Sequence, residues 1–150
     1  MRRLKTTWSG AALLVFACAN DGTLGVREDR VRVDRTVEAG RTFTIGVGEV
    51  VLVEGTHVIL FFERVSEDSR CPTGVQCPWE GNAAARFEVS LDNAELDPRP
   101  IVLNTTLEPR QTDKFGVTIF LEGLDPNPVD PGPPIDPAAY LAELAVSRTE

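Results

Sequence analysis

The chain is organised around residues 67–81, which read EDSRCPTGVQCPWEG. This segment contains Cys71, Cys77 and Trp79, that is, two of the three cysteines and one of the two tryptophans of the chain. An apolar run, VILFF, precedes it at residues 58–62, and an alternating run, ARFEVSL, follows it at residues 85–91. Both runs are typical of β-strands. The segment therefore predicts a polar, cysteine-bearing loop between two strands of a β-rich domain.

Residues 26–150 predict a single all-β domain. Short apolar or alternating runs are separated by turn signals at regular spacing, which is typical of an antiparallel β-sandwich or barrel of about seven or eight strands. The predicted strands lie near residues 30–34, 42–45, 50–53, 58–65, 85–91, 101–103, 115–121 and 140–146. The run at residues 58–62 is apolar on both faces and predicts a central strand.

The end of the chain allows two interpretations. Asp136 and Pro137, followed by strong helix formers, make a good helix start. The alternation of apolar residues from Tyr140 to Val146, and the need of an all-β domain for a closing strand, favour a strand. We predict a strand in this segment, residues 138–147, with one helical turn at its start. The stretch before it, residues 125–137, holds six of the eleven prolines and predicts an extended, ordered loop.

Residues 1–17 have the features of an export signal. Three basic residues precede a short apolar stretch at residues 8–17, well below the roughly 20 residues that a membrane-spanning helix needs. The stretch runs into VFAC at residues 15–18, which resembles a bacterial lipobox and predicts lipidation of Cys18. An ordinary signal peptide cleaved after Ala19 is the alternative. Because Cys71 and Cys77 can pair with each other, Cys18 is the odd cysteine, and lipidation explains it.

These features predict an envelope protein whose partner is a membrane, reached through the N-terminal lipid. Residues 18–25 then form a short polar tether. Ala19 stands where an aspartate would signal retention in the inner membrane of lipoproteins of this kind, so the outer membrane is favoured. Several acyl chains give stable anchoring, since each buried methylene group contributes about 0.8 kcal/mol.

The charge of the chain argues against nucleic acid as a partner. The formal net charge is −8, and removal of residues 1–17 leaves 12 basic and 23 acidic side chains, a charge of −11. Nucleic-acid binding requires clustered lysines and arginines. The same acidity disfavours adsorption of the domain to anionic lipid.

Export to an oxidising compartment predicts a disulfide between Cys71 and Cys77. Closing so short a loop stabilises the fold by roughly 2–2.5 kcal/mol in the chain-entropy estimate. Gly74 permits the turn inside the ring, and Trp79 is expected to pack beneath it. Arg70 can pair with an acidic neighbour in the same segment, whether residue 67, 68 or 80.

The string Glu-Asp-Ser-Arg-Cys-Pro, then four residues, then Cys-x-Trp-x-Gly, resembles the hallmark of a family of uncharacterised bacterial lipoproteins. Members are similar in having a lipobox leader, a small β-rich domain and a closing segment that contains a tyrosine, here represented by Cys18 and residues 140–146. Pro78 and Glu80 depart from the small aliphatic residue and the alanine of the family pattern. The resemblance implies a location and a fold, and it implies no established activity.

The sequence favours a non-catalytic binding or structural module at the cell envelope, for which another envelope protein is a candidate partner. The residues predicted to form a binding loop are Asp68, Arg70, Thr73, Gly74, Val75, Gln76, Trp79 and Glu80. The alternative is an envelope protease inhibitor that presents the Cys71–Cys77 loop, because a rigid loop loses little entropy when it binds.

No enzyme, metal site or cofactor is predicted. The chain has one histidine, His57, and it lacks a G-x-S-x-G motif. Five residues separate Cys71 from Cys77, unlike a C-x-x-C redox pair. Asp125, Asn127 and Asp130 place oxygens along one loop, and calcium binding there is an alternative that the sequence leaves open. Their spacing is not that of an EF-hand and the intervening prolines stiffen the loop, so we interpret them as a solvated turn.

Overall fold

Two β-sheets pack against each other in the computed structural model, which describes residues 32–92 and 97–149. The predicted signal peptide, the tether and Cys18 lie outside the described residues. Within the described residues, no helix is long and apolar enough to cross a bilayer.

The described residues form nine strands and one short helical turn. The strands, numbered in chain order, are β1 (Arg35–Glu38), β2 (Thr42–Gly46), β3 (Val50–Glu54), β4 (Val58–Asp68), β5 (Ala83–Leu91), β6 (Arg99–Asn104), β7 (Gln111–Lys114), β8 (Val117–Asp125) and β9 (Leu141–Arg148). One sheet has the order β1-β3-β4-β5-β6, and the other has the order β2-β9-β8-β7. Every neighbouring pair is antiparallel except β1 and β3, which run parallel.

The core lies between the two sheets, where each strand buries its alternating apolar residues. On β8 and β9 these residues are Val117, Ile119, Leu121, Ala142, Leu144 and Val146. In the other sheet, Phe62 of β4 stands opposite Phe87 of β5, and their stacked rings have centroids 4.7 Å apart. Period-two burial of this kind is what packs two sheets face to face. The all-β sandwich prediction is confirmed.

Three details of the sequence prediction are corrected. Residues 32–34 are not in a strand, and β1 begins only at Arg35. The strand predicted at 115–121 begins instead at Val117, because Phe115 and Gly116 form a turn with positive φ angles of 50° and 77°. The strand β7 before this turn was missed, since its sequence QTDK is polar and lies at a sheet edge.

The predicted central strand, β4, and the predicted closing strand, β9, are both present. β4 lies between β3 and β5, which confirms its central place. Residues Pro137–Ala139 form a single 3-10 turn, and the Asp136 carboxylate accepts a hydrogen bond from the Ala138 N–H at 3.0 Å. β9 follows and lies between β2 and β8, so burial on alternate residues outweighs the helical propensity of the alanines and leucines.

Truncation of the central aromatic pair should be costly. We expect Phe62→Ala to lower the free energy of unfolding by about 3–5 kcal/mol, because it removes a fully buried ring and leaves a cavity. Urea unfolding of the purified protein measures this. The control is Leu107→Ala, at a leucine that is 60% exposed, expected to change stability by no more than about 0.5 kcal/mol. Equal effects of the two substitutions would contradict this packing.

Candidate functional site

The cysteine loop, residues 69–82, continues the hairpin formed by β4 and β5. The Ser69 N–H donates to the Asn82 carbonyl at 2.7 Å, and the Cys71 N–H donates to the Glu80 carbonyl at 2.8 Å. Gly81 has a φ angle of +73°, and a Cβ atom there would lie 1.9 Å from the Ser69 carbonyl oxygen. Only glycine therefore allows the backbone to close this hairpin extension.

The disulfide predicted between Cys71 and Cys77 is present. The two sulfur atoms are 2.10 Å apart, and the two Cα atoms are 5.9 Å apart. Inside the ring, Gly74 has a φ angle of +99°, and a Cβ atom would come within 2.8 Å of the Asp130 carbonyl oxygen. The ring is thus packed closely against another part of the chain.

That part is the proline segment, residues 126–137, which connects β8 to β9 in the other sheet. Thr73 forms an isolated parallel bridge with Val129. The Thr73 N–H donates to the Pro128 carbonyl at 2.8 Å, and the Thr73 carbonyl accepts from the Asp130 N–H at 3.2 Å. These bonds join a loop of one sheet to a loop of the other, and they confirm an extended, ordered proline segment.

The Arg70 side chain lies at the base of the cysteine loop, and each of its N–H donors has an oxygen acceptor. Its Nε donates to Asp68 Oδ1 at 2.9 Å and its Nη2 to Asp68 Oδ2 at 2.7 Å, in a two-bond fork. Nη2 also donates to the Pro126 carbonyl at 2.8 Å, and Nη1 donates to Asn127 Oδ1 at 3.0 Å and to the Leu124 carbonyl. The Arg70 and Asp68 side chains are only 10% and 12% exposed.

Tyr140, between the 3-10 turn and β9, completes this cluster. Its hydroxyl donates to Asp68 Oδ2 at 2.9 Å, and the Arg70 backbone N–H donates to Asp68 Oδ1 at 3.2 Å. The Asp68 carboxylate therefore accepts four hydrogen bonds, from Arg70 and Tyr140. A buried polar group is stable when its partners are complete in this way.

The surroundings shift the pKa values of two of these groups. Burial alone would raise the pKa of Asp68, but hydrogen bonds from Arg70 and Tyr140 and the charge of Arg70 outweigh it, so the pKa lies below its ordinary value. Burial raises the pKa of Tyr140 above its ordinary value, and the neighbouring Asp68 carboxylate adds to the rise. At neutral pH, Asp68 is thus charged and Tyr140 keeps its proton.

The structure divides the predicted binding loop into an inner and an outer part. Asp68 and Arg70, which pair with each other, point inward and have little surface to offer a partner. The prediction that Trp79 packs under the ring is wrong, because Trp79 is 74% exposed. Val75 is 44% exposed. The other outward residues of the predicted loop are Thr73, Gly74, Gln76 and Glu80.

The proline segment does not gather its acidic residues into a cluster. The Asn127 amide oxygen accepts from the Arg70 guanidinium, so a protein cation already occupies that oxygen. Within residues 32–92 and 97–149, no group of three or more histidine, cysteine, aspartate or glutamate side chains is placed to hold a metal ion. His57 lies exposed in a turn, and its Nδ1 is 2.9 Å from Asp92 Oδ1.

A groove of about 380 Å³ lies beside the cysteine loop. The exposed side chains of Trp79 and Leu107 both line it, and Leu107 is 60% exposed. The remaining lining residues are Ser69, Glu80, Gly81, Asn82 and Thr106. A second concavity of about 460 Å³ shares Glu80 and Thr106 with it. Leu107 was not among the predicted site residues, because it is a single apolar residue in the connection between β6 and β7.

Comparison with known proteins adds no functional assignment. No family model, curated protein or solved structure matches this chain. The resemblance of residues 67–81 to bacterial lipoproteins stays a prediction. The function must therefore be inferred from what the cysteine loop holds in place and what it exposes.

Replacement of Arg70 by lysine should weaken the fold although the charge is kept. Lysine has one nitrogen and cannot serve the Asp68 fork and three further oxygens together. We expect Arg70→Lys to lower the free energy of unfolding by about 2–3 kcal/mol, because acceptors are left unpaired in the interior.

The matched control for this substitution is Arg64→Lys, at an exposed arginine that pairs with Glu63. Its expected effect is no more than about 0.5 kcal/mol. Urea denaturation of both variants gives the comparison. An Arg70→Lys protein as stable as the Arg64→Lys protein would show that the cluster is dispensable.

The same cluster predicts how stability depends on pH. The pKa of Asp68 is lower in the folded chain than in the unfolded chain, so its contribution is complete above about pH 4 and is lost as pH falls through the folded pKa. The pKa of Tyr140 is raised, so its contribution is complete below about pH 10 and is lost as pH rises through the folded value.

Two variants separate these effects in unfolding measurements across the pH range. The stability lost in Asp68→Asn should shrink below about pH 4, and the stability lost in Tyr140→Phe should shrink above about pH 10. A loss in Asp68→Asn that stays constant down to about pH 2 would contradict the direction of the Asp68 shift.

Proposed function

We propose that the chain is a lipid-anchored lipoprotein of the cell envelope, with Cys18 as the lipidated residue and the β-sandwich as a non-catalytic binding module. The observation that carries the proposal is the disulfide between Cys71 and Cys77. Disulfides of this kind form in oxidising compartments, which supports export. The pairing also leaves Cys18 for another role, and the lipobox-like residues 15–18 supply one. Ala19 favours the outer membrane.

The way the cysteine loop is held supports binding as the role of the domain. The disulfide closes the loop, Arg70 bonds the start of the loop to Asp68, and the Thr73 backbone bonds it to the proline segment. Such a loop loses little conformational entropy when a partner binds. It nevertheless leaves Trp79 exposed, and tryptophan is enriched among the residues that dominate binding energy at interfaces.

The chemistry of the described residues supports a module without catalytic activity. Among the ion pairs of residues 32–92 and 97–149, that of Asp68 and Arg70 is the least exposed, and its hydrogen-bonding atoms are already occupied by protein groups. A catalytic acid or base needs an atom within hydrogen-bonding reach of a substrate. The histidine, His57, lies on the surface, where its Nδ1 is within hydrogen-bonding distance of Asp92 Oδ1.

The protease-inhibitor alternative has weaker support. A segment that enters a protease cleft as an added strand needs free backbone N–H and C=O groups. Both backbone groups of Thr73 are engaged by the proline segment, and the Val75 N–H donates to the Pro72 carbonyl at 3.5 Å, so the ring offers a protease no continuous run of free backbone groups. We therefore favour a contact made by the side of the loop over insertion of its tip.

The anchor can be tested in a bacterial host fed with a labelled fatty acid. We expect the protein to carry the label and to sediment with the outer membrane, whereas Cys18→Ser should lose the label and become soluble. A variant with Cys71→Ser and Cys77→Ser should keep both the label and the membrane association, because neither cysteine is the acceptor. A labelled, membrane-bound Cys18→Ser protein would rule out the anchor.

A further inference from the structure

The groove between Trp79 and Leu107 combines apolar walls with few free polar atoms. Asn82 lies in the groove, but its Nδ2 donates to Asn104 Oδ1 at 2.8 Å, and its Oδ1 accepts from the Thr106 and Leu107 N–H groups at 3.1 and 3.2 Å. The Ser69 hydroxyl is likewise bonded to the Asn82 backbone. A sugar ligand needs several convergent polar groups, so the groove favours a ligand with an apolar part.

The charge at the groove is negative. Glu80 lines both concavities, and Asp125 lines the second. Neither carboxylate forms an ion pair within the part of the chain that the structure describes. The arginine that lines the second concavity, Arg70, is compensated by Asp68. Among the described residues, the groove thus offers an aromatic face beside two carboxylates that pair with no cation.

We propose that this groove binds a basic, apolar peptide segment of a protein partner. An arginine or lysine side chain lies with its aliphatic stem and cation against the Trp79 ring and directs its charge to Glu80. A neighbouring apolar residue of the partner packs on Leu107. Cation–π contact and the carboxylate both select a positive group, and the long stem of such a residue covers apolar surface.

Charge complementarity decides between a peptide and a lipid surface. An exposed tryptophan also suits a membrane interface. Glu80 and Asp125 would then face lipid headgroups, and the charge of −11 for residues 18–150 would oppose an anionic membrane. This inference rests on the binding role proposed above and is independent of the lipid anchor, which the Cys18→Ser experiment tests separately.

The test uses the full chain, held in phosphatidylcholine nanodiscs, and calorimetry with short synthetic peptides. We expect a six-residue peptide of alternating arginine and leucine to bind, and the same peptide with glutamate in place of arginine not to bind. Binding to empty nanodiscs is subtracted. A rise in salt from about 50 mM to about 500 mM should weaken binding severalfold, because the carboxylates are at the surface.

Two pairs of variants locate the site. Trp79→Ala should weaken binding about tenfold, and Leu141→Ala, at an exposed leucine on β9, should leave it within about twofold. Glu80→Gln should weaken binding about threefold, and Glu54→Gln, which removes the same charge at the end of β3, should change it little. Leu107→Ser is a second groove variant, and circular dichroism checks that each protein folds.

Three results would overturn the proposal. One is equal binding of the arginine and glutamate peptides. Another is unchanged affinity in both Trp79→Ala and Glu80→Gln. The third is a wild-type protein that does not bind the basic peptide but binds an amino-sugar oligomer, with that binding lost in Trp79→Ala. None of these results bears on acylation or membrane association. Failure of the peptide-binding proposal is therefore distinguishable from failure of the anchor proposal.

Discussion

The Arg70 guanidinium holds two distant parts of the chain together, because all its N–H donors find oxygen acceptors. It forks onto Asp68 at the end of β4, reaches Leu124 at the end of β8, and bonds Pro126 and Asn127 in the proline segment. The two strands belong to different sheets. A buried ion pair stabilises a fold only when further hydrogen bonds satisfy the groups that burial removes from water. Here those bonds come from loops, so the ion pair and the loop conformations depend on each other.

Much of the fold follows from local patterns in the sequence. Alternating apolar residues predict β5 and β9 because burial on one face of a strand repeats every two residues. The pattern fails where burial is weak. The edge strand β7 contains only polar residues. The alternation of valines with charged residues begins before β1, so the predicted strand started too early in the sequence. The parallel pairing of β1 with β3 depends on a long-range choice of neighbour that no local pattern specifies.

The candidate site was less predictable, because its contacts are distant in the sequence. Pairing of Arg70 with Asp68 was among the predicted options, but the other acceptors of Arg70 lie 54 to 57 residues further along the chain. Tyr140 is 72 residues from Asp68. The placement of Trp79 was wrong for a different reason. Large apolar side chains are buried only where space exists beneath them. The cysteine loop is bonded to the proline segment through Thr73 and Arg70, and the indole lies outside.

The internal cluster also determines the character of the outer surface. Arg70 is a basic residue of the cysteine loop, and its charge is neutralised by the ion pair with the Asp68 carboxylate. The carboxylates of Glu80 and Asp125 are left without that cation, and Trp79 is left without a place in the core. The interaction that fixes the loop to both sheets therefore produces an acidic, aromatic face on a rigid support. A surface with this charge and this rigidity is selective for cationic partners before any particular contact is considered, since like-charged ligands are repelled during approach.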